Sequence, residues 1–316
     1  MRATTPPPPP LISVVIPAYN AAPHLQETLA TVQGQTLTAW ELLVIDDGST
    51  DATAAIAAAA AHQDPRIRLI SVVNGGVSCA RNIGVAASRA PLVAFLDADD
   101  RWSPQALASH RQHFQRDPGL GVSFARVELL RPDGQPTGKV CRTPLSPLTA
   151  RALLAENLTI TTSNWVVRRD LFDRIGGFLN DLNHCEDLEW LLRLRCCTDW
   201  RIQAVDQVLT YYRTSAGGLS SQLRKMEEGW HRMADRVARH SPELVRRDGP
   251  HALAVQLRYL ALRALRLGLP AGLALDCLVR SVRSDWTIVV LQPGATTALV
   301  LQLILRLLHR PAPSSS

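Results

Sequence analysis

"PLVAFLDADDRW", residues 91–102, runs from an apolar stretch straight into three carboxylates, Asp97, Asp99 and Asp100. A short unbroken apolar run reads as a strand buried on both faces, the habit of parallel sheets. Carboxylates gathered at its end raise one another's pKa unless a cation or donors compensate. The strand tip therefore predicts a site for something positive, with a divalent metal as the first candidate. Taken alone, Asp-x-Asp is equally compatible with a polar strand end or turn.

On the N-terminal side the same pattern recurs. "LISVVIP" predicts a first strand over 11–16, stopped by Pro17, and Pro23 with Leu25, Leu29 and Val32 at helical spacing predicts a helix to about Gly34. "WELLVID" reads as a second strand and the alanine-rich 51–62 as a helix, "IRLISVV" as a third strand and "CARNIGVAASR" as a third helix. After the acidic cluster, Ser103 is the expected cap and Pro104 the first position of a further helix. This alternation predicts an α/β doubly wound sheet, whose ligands sit beyond the carboxyl ends of its strands. "PAYN", "DDGS", "NGG" and "DADD" all follow strands, so they converge on one crevice.

Further along, "GVSFARVELL" and "PDGQPTGKV" predict a hairpin, "TTSNWVVRRDLFDRIGGF" a strand and short helix closed at Gly176 and Gly177, and "EDLEWLLRLRCC" an amphipathic helix with Leu188, Leu191, Leu192 and Leu194 inward. From about residue 216 the pattern is helical, with a stripe of Leu223, Met226, Trp230, Met233 and Val237, a second run over 251–267, and a last one, "ALVLQLILRLLHR", carrying Gln302, Arg306 and Arg310 on one face. That last helix is too short to span a bilayer core of roughly 30 Å. It either packs on the protein or lies on a membrane surface. The expected organisation is a disordered proline-rich tail over 1–10, an α/β domain over 11–215 and a helical region over 216–316.

Net charge is +6, but unevenly placed: residues 1–199 stand at −2 and residues 200–316 at +8. Such a surplus suits nucleic acid, anionic lipid or a phosphorylated substrate, and equally a solvated helix face. The six cysteines show no Cys-x-x-Cys spacing, so neither a zinc site nor a disulfide framework is indicated. With no apolar signal core in "MRATTPPPPP", a reducing, cytoplasmic location is expected.

The chemistry follows if the crevice holds a nucleotide diphosphate joined to a sugar. A metal at Asp99 stabilises charge on the departing diphosphate, Asp97 lies near the ribose or metal, Asp47 accepts from a base or ribose hydroxyl, and Gly76 lets backbone approach the ligand. Glu186 and Asp187 offer a general base for an acceptor hydroxyl. Each has an ordinary structural alternative: a helix cap for Asp47, an acidic helix N-terminus for Glu186 and Asp187.

Their order narrows the choice. "VVIPAYN", "VIDDGSTD", "NGGVSCARNIG", "FLDADD" and "GGF…EDLEWLLRL" resemble, in sequence, the signature segments of family 2 glycosyltransferases of the GT-A fold, over residues 12–195. The resemblance implies a mixed GT-A sheet, a nucleotide-sugar donor, Mg²⁺ or Mn²⁺, inversion at the anomeric carbon, and a glycan or lipid-linked acceptor met at the inner face of the cytoplasmic membrane, with no nucleic acid partner. It also implies hexosyl transfer in cell-surface polysaccharide assembly. Position by position it places Pro17, Tyr19 and Asp47 at the nucleoside, Asp97 and Asp99 at the ribose, diphosphate and metal, Arg81 and Asn82 near the donor, and Asp187 as base. Two rivals are a haloacid-dehalogenase-like phosphatase, in which Arg101 stands where Thr or Val is wanted, and a catalytically silent nucleotide-sugar or glycan-binding module.

Overall fold

The computed structural model describes residues 9–182, 184–214 and 222–308, with side chains to Arg306. At its centre lies strand β1 (Ile12–Ala18), every residue of which is buried. Around it the chain runs α1 (Ala22–Gln33), β2 (Trp40–Asp46), α2 (Thr53–Gln63), β3 (Ile67–Ser71), α3 (Val77–Ala87) and β4 (Leu92–Phe95). β2 and β4 flank β1 and β3 lies outside β2, all parallel. The chain thus builds outward on one side of β1 and then returns to its other side. That reversal opens a crevice where the carboxyl ends of β1, β2 and β4 meet.

Beyond β4 the sheet turns mixed. β5 (Arg101–Trp102), α4 (Ala106–Arg116), β6 (Leu120–Leu130) and β7 (Pro136–Val140) follow, then α5 (Ala150–Ala155), a 3₁₀ turn at Thr162–Asn164, β8 (Val166–Arg168), α6 (Asp170–Ile175), α7 (Glu186–Cys197) and β9 (Arg201–Arg213). The order across the sheet is β3-β2-β1-β4-β8-β6-β9-β5, with β7 paired to β6. β8 runs antiparallel to both β4 and β6, and β9 parallel to β6. This is the mixed α/β architecture expected.

Several local readings are corrected. Pro17 does not stop the first strand, which continues to Ala18. The Val15 carbonyl accepts from Leu96 N–H on the β4 side, so Pro17, two residues on, also faces β4. Pairing to β4 ends at Val15–Phe95, and the N–H that proline lacks has no partner to lose. Ser103 is no cap: α4 starts at Ala106, and the Leu107 N–H is taken by Gln35 Oε1 at 2.9 Å, while Gln35 Nε2 donates to the Ser103 carbonyl at 2.7 Å. A side chain from the end of α1 therefore does the capping. The sequence reading omitted β9, a 13-residue strand in which polar and apolar residues mix irregularly. α7 is less amphipathic than expected, because Glu186, Glu189 and Arg193 are buried with its leucines.

α3 lies close on β1 at Gly84. A Cβ there would sit 2.3 Å from Val15 Cγ1, so only glycine permits this approach.

A second compact unit comprises, of the described residues, 150–156 and 222–308. It holds α5, α8 (Leu223–His240), α9 (Pro242–Arg266), α10 (Ala271–Ser284), α11 (Thr287–Leu291) and α12 (Pro293–Leu308). α9 begins nine residues before the expected start at 251 and carries Pro250 inside it. Its core joins Leu260, Ala264, Cys277 and Leu278 to Leu299 and Leu303 of α12. Of the stripe read on α8, Leu223, Trp230, Met233 and Val237 are buried. Arg310 lies outside the described residues. Among the described residues no helix is long and apolar enough to cross a membrane.

Replacing Gly84 by alanine forces Val15 or α3 to shift, at a cost of about 1–3 kcal/mol. The expected result is a lower urea midpoint with an unchanged m-value, read by far-ultraviolet circular dichroism.

Candidate active site

The tip of β2 is closed by its own side chain. Asp47 is buried, and its carboxylate accepts from the backbone N–H groups of Gly75 at 2.8 Å and Gly76 at 2.9 Å, with Asn74 Nδ2 at 3.3 Å. Asn74 Nδ2 also donates to the Asp47 carbonyl at 2.9 Å. Asp47 thereby holds the loop that launches α3. Gly76 adopts φ +85°, and nothing lies within 4 Å of where its Cβ would be, so its backbone is open to close approach. Beside this loop Tyr19 is 55% exposed, while Pro17 is buried in β1. Asn20, in the left-handed region at φ 49°, accepts from Thr50 N–H at 2.8 Å, so the turn after β1 is self-contained.

The acidic cluster is held by three elements. Asp97 N–H donates to Ser163 Oγ at 3.0 Å, and Thr28 Oγ1 lies 2.9 Å from the carbonyls of both Ala98 and Asp100. Arg213, at the end of β9, donates its backbone N–H to Asp100 Oδ1 at 2.9 Å and its Nε to the Asp99 carbonyl at 3.0 Å. Its remaining nitrogens reach Pro132 and Glu27. Arg213 went unread because β9 did. Asp100 is fully buried, and burial, then the charges of Asp99 and Asp97, push its carboxyl well above the usual range. Asp99 rises to about 6, from burial first and then the charge of Asp97, partly offset by Arg213.

A buried arginine joins this cluster to α7. Arg81, on α3, donates from one terminal nitrogen to Asp97 Oδ1 and from the other to Glu186 Oε1, both at 2.9 Å. Asp187, next in the chain, accepts from Leu188 N–H and from Asn157 Nδ2, both at 2.8 Å. Its pKa is raised to about 6 by burial and the charge of Glu186, against the pull of Arg81 and Asn157. The residue is only partly exposed, and protein surrounds its carboxyl densely. Asn157 was not singled out in the sequence, where a lone asparagine in "ENLT" carries no distinguishing signal.

Asn82 faces elsewhere. Its Nδ2 donates to the Phe178 carbonyl and its Oδ1 accepts from Phe178 N–H, both at 2.8 Å, strapping α3 to the "GGF" segment. A Cβ on Gly177 would lie 2.4 Å from Asn82 Oδ1. Arg193 of α7 pairs with Glu189 and also donates to the Gly177 carbonyl at 2.8 Å. Phe95, Phe172, Phe178, Trp165 and Trp190 pack ring against ring beneath. Together these contacts fix the start of α7 relative to the tip of β4.

As for a metal, no group of three or more His, Cys, Asp or Glu side chains suited to hold one occurs among the described residues. Asp97 and Asp99 are a hard-oxygen pair, and Asp99 carries a charge that its surroundings leave poorly compensated. That set fits Mg²⁺ or Mn²⁺ bound in the manner of nucleotide sites, through one or two carboxylates with phosphate and water completing the shell.

Residues 13–176, just over half of the chain, match the sequence model of glycosyl transferase family 2. The chain belongs to this family, which removes the basis for the phosphatase reading. It is 30% identical over 220 residues to an uncharacterized glycosyltransferase, EpsJ, of Bacillus subtilis, covering 66% of this chain and 63% of that one. It is 34% identical over 137 residues to a putative teichuronic acid biosynthesis glycosyltransferase, TuaG, of the same organism, covering 43% and 54%. The chain thus spans between about half and two thirds of these two relatives. Solved structures share the GT-A fold: S. aureus TarS 1–349 in complex with UDP-GlcNAc, at TM-score 0.58, 16% identity and coverage of 88% and 90%. The mannosyltransferase PcManGT of Pyrobaculum calidifontis, in complex with GDP-Man and Mn²⁺, superposes at TM-score 0.58 with 18% identity and coverage of 97% and 89%.

Replacing Arg81 by methionine leaves Glu186 buried without its partner, and breaking such a pair costs about 3–5 kcal/mol. Chemical denaturation of Arg81→Met beside the double variant Arg81→Met/Glu186→Gln is expected to show partial recovery in the double, because the orphaned charge is gone.

Proposed function

We propose that the protein is an inverting, metal-dependent hexosyltransferase that moves a sugar from a nucleoside-diphosphate sugar to a hydroxyl of a glycan or lipid-linked acceptor, in cell-surface polysaccharide assembly at the cytoplasmic face of the membrane. The observation that carries this reading is the Arg81 bridge, which ties Asp97 to the helix start bearing Asp187. The names of relatives concerned with teichuronic acid and O-antigen biosynthesis support the surface-glycan setting, and the ligands of the structural neighbours support the donor class.

In this scheme Pro17, Tyr19, Asp47 and the open backbone at Gly76 frame the nucleoside end of the donor, and Asp97 and Asp99 face the diphosphate. Asn82 and Arg81 act through the loops and carboxylates they hold. Asp99 with Asp97 would hold Mg²⁺ or Mn²⁺, which supplies Lewis-acid stabilisation of the departing diphosphate. Asp187 takes the proton of the acceptor hydroxyl. As that proton leaves, the acceptor oxygen bonds to the anomeric carbon from the face opposite the diphosphate, and the electron pair of the breaking carbon–oxygen bond goes with the diphosphate. Asn157 and the Leu188 N–H hold the base in one orientation.

A base must be ionised to accept. With Asp187 raised to about 6 in the free chain, kcat/KM is level above that pH and falls about tenfold per unit below it. Saturating Mn²⁺ keeps proton competition at Asp99 out of the profile. Asp187→Asn should lower kcat by about 10²–10⁴-fold while nucleoside-diphosphate binding stays within about threefold. Asp99→Ala should abolish the Mn²⁺-dependent part of the thermal shift given by a nucleoside diphosphate. Full transfer activity in Asp187→Asn would sink the assignment of the base, and a folded protein that binds donor without transfer or hydrolysis would favour the silent module.

A further inference from the structure

The second unit carries an apolar surface that the transfer chemistry does not use. From Trp286 to Leu305 the sequence contains no charged residue over 20 positions. The stretch folds as α11 and most of α12, and one seam of it, Ile288, Leu299 and Leu303, is buried. The rest faces outward: Trp286, Val290 and Leu291 at 66, 65 and 64% exposure, then Leu301, Ile304 and Leu305 at 55, 46 and 56%. The last three lie at i, i+3 and i+4, on one face of α12. Soluble monomers seldom leave such contiguous apolar surface open.

Charge indicates what covers it. Arg283 and Asp285 precede the uncharged run, Asp285 already paired with His251, and Arg306 follows it, while residues 200–316 carry 16 basic against 8 acidic side chains. Beside the exposed leucines, Leu265, Arg266, Gln302, Leu305 and Arg306 line an open cleft of about 380 Å³. Guanidinium groups at the edge of an apolar face match phosphate headgroups above acyl chains. A second copy of the chain would bring the same positive surplus against itself. α12, at 16 residues, is roughly 24 Å long, short of the roughly 30 Å needed to cross. Tryptophan favours the interface itself.

We propose that α11 and α12 dock on an anionic lipid bilayer, lying in its interfacial plane with Trp286, Val290, Leu291, Leu301, Ile304 and Leu305 turned into the lipid and the arginines at the headgroups. This surface is independent of the proposed catalytic residues, so either reading can fail without the other.

The test is flotation of the full chain with phosphatidylcholine vesicles and with vesicles containing phosphatidylglycerol, at low and high salt. Binding to the phosphatidylglycerol vesicles is expected, at least about tenfold tighter than to phosphatidylcholine and weakened by salt. Leu301→Gln/Ile304→Gln/Leu305→Gln should lose it, and Arg266→Gln/Arg283→Gln should weaken it several-fold, both with an unchanged melting temperature and unchanged transfer to a soluble acceptor. Should the triple variant unfold, Trp286→Ser provides the apolar arm, and in the native chain the Trp286 emission should shift to the blue on vesicles. No binding to either vesicle, binding that ignores both sets of variants, or a concentration-dependent dimer that the apolar variants dissolve would each overturn the proposal, the last in favour of a second copy.

Discussion

A guanidinium surrounded by carboxylates organises the α/β unit. Arg81 joins Asp97, 16 residues away, to Glu186, 105 residues away. Two charges taken out of water must be matched closely to repay their desolvation. The match here uses both terminal nitrogens of one planar group, a geometry that lysine lacks. The constraint is mutual: β4 ends where Asp97 can be reached, α3 enters with Arg81 turned inward, and α7 starts where Glu186 meets it. The glycine at 84 and the Asn82 strap serve the same end, letting α3 lie low on β1 and fastening it to the segment before α7.

Much of this was legible in the residues. Apolar runs stopped by polar clusters located β1 to β4, because a strand buried on both faces leaves no room for polar alternation. The same clusters located the strand tips, and "EDLEW" located α7. Other features depend on partners distant in the chain. The Gln35 cap of α4 and the Asn157 contact to Asp187 come from segments whose own sequence has no reason to announce them. β9 escaped because its burial alternates irregularly along its 13 residues, as it pairs β6 with register shifts and also meets β5. The period-2 signal is lost when neighbours change along a strand. With β9 went Arg213, which secures the acidic turn.

Family membership and site geometry answer different questions. The family match places the chain among glycosyltransferases, while the solved structures, at under 20% identity, speak to the fold. What the geometry adds is the surroundings of its acids. Asp99 and Asp187 both sit near 6 from burial and from an acidic neighbour. The neighbour is Asp97 in one case and Glu186 in the other, and Arg81 holds both. One cation therefore moderates the repulsion at each.

Asp47 illustrates what such saturation achieves. With three N–H donors already on its carboxylate, the side chain is confined to a single rotamer before any donor arrives. The entropy of ordering it and the loop over 74–76 is spent when the chain folds. A ligand meeting this rim would find a rigid wall, and the affinity gained there would not be diminished by having to freeze the wall first.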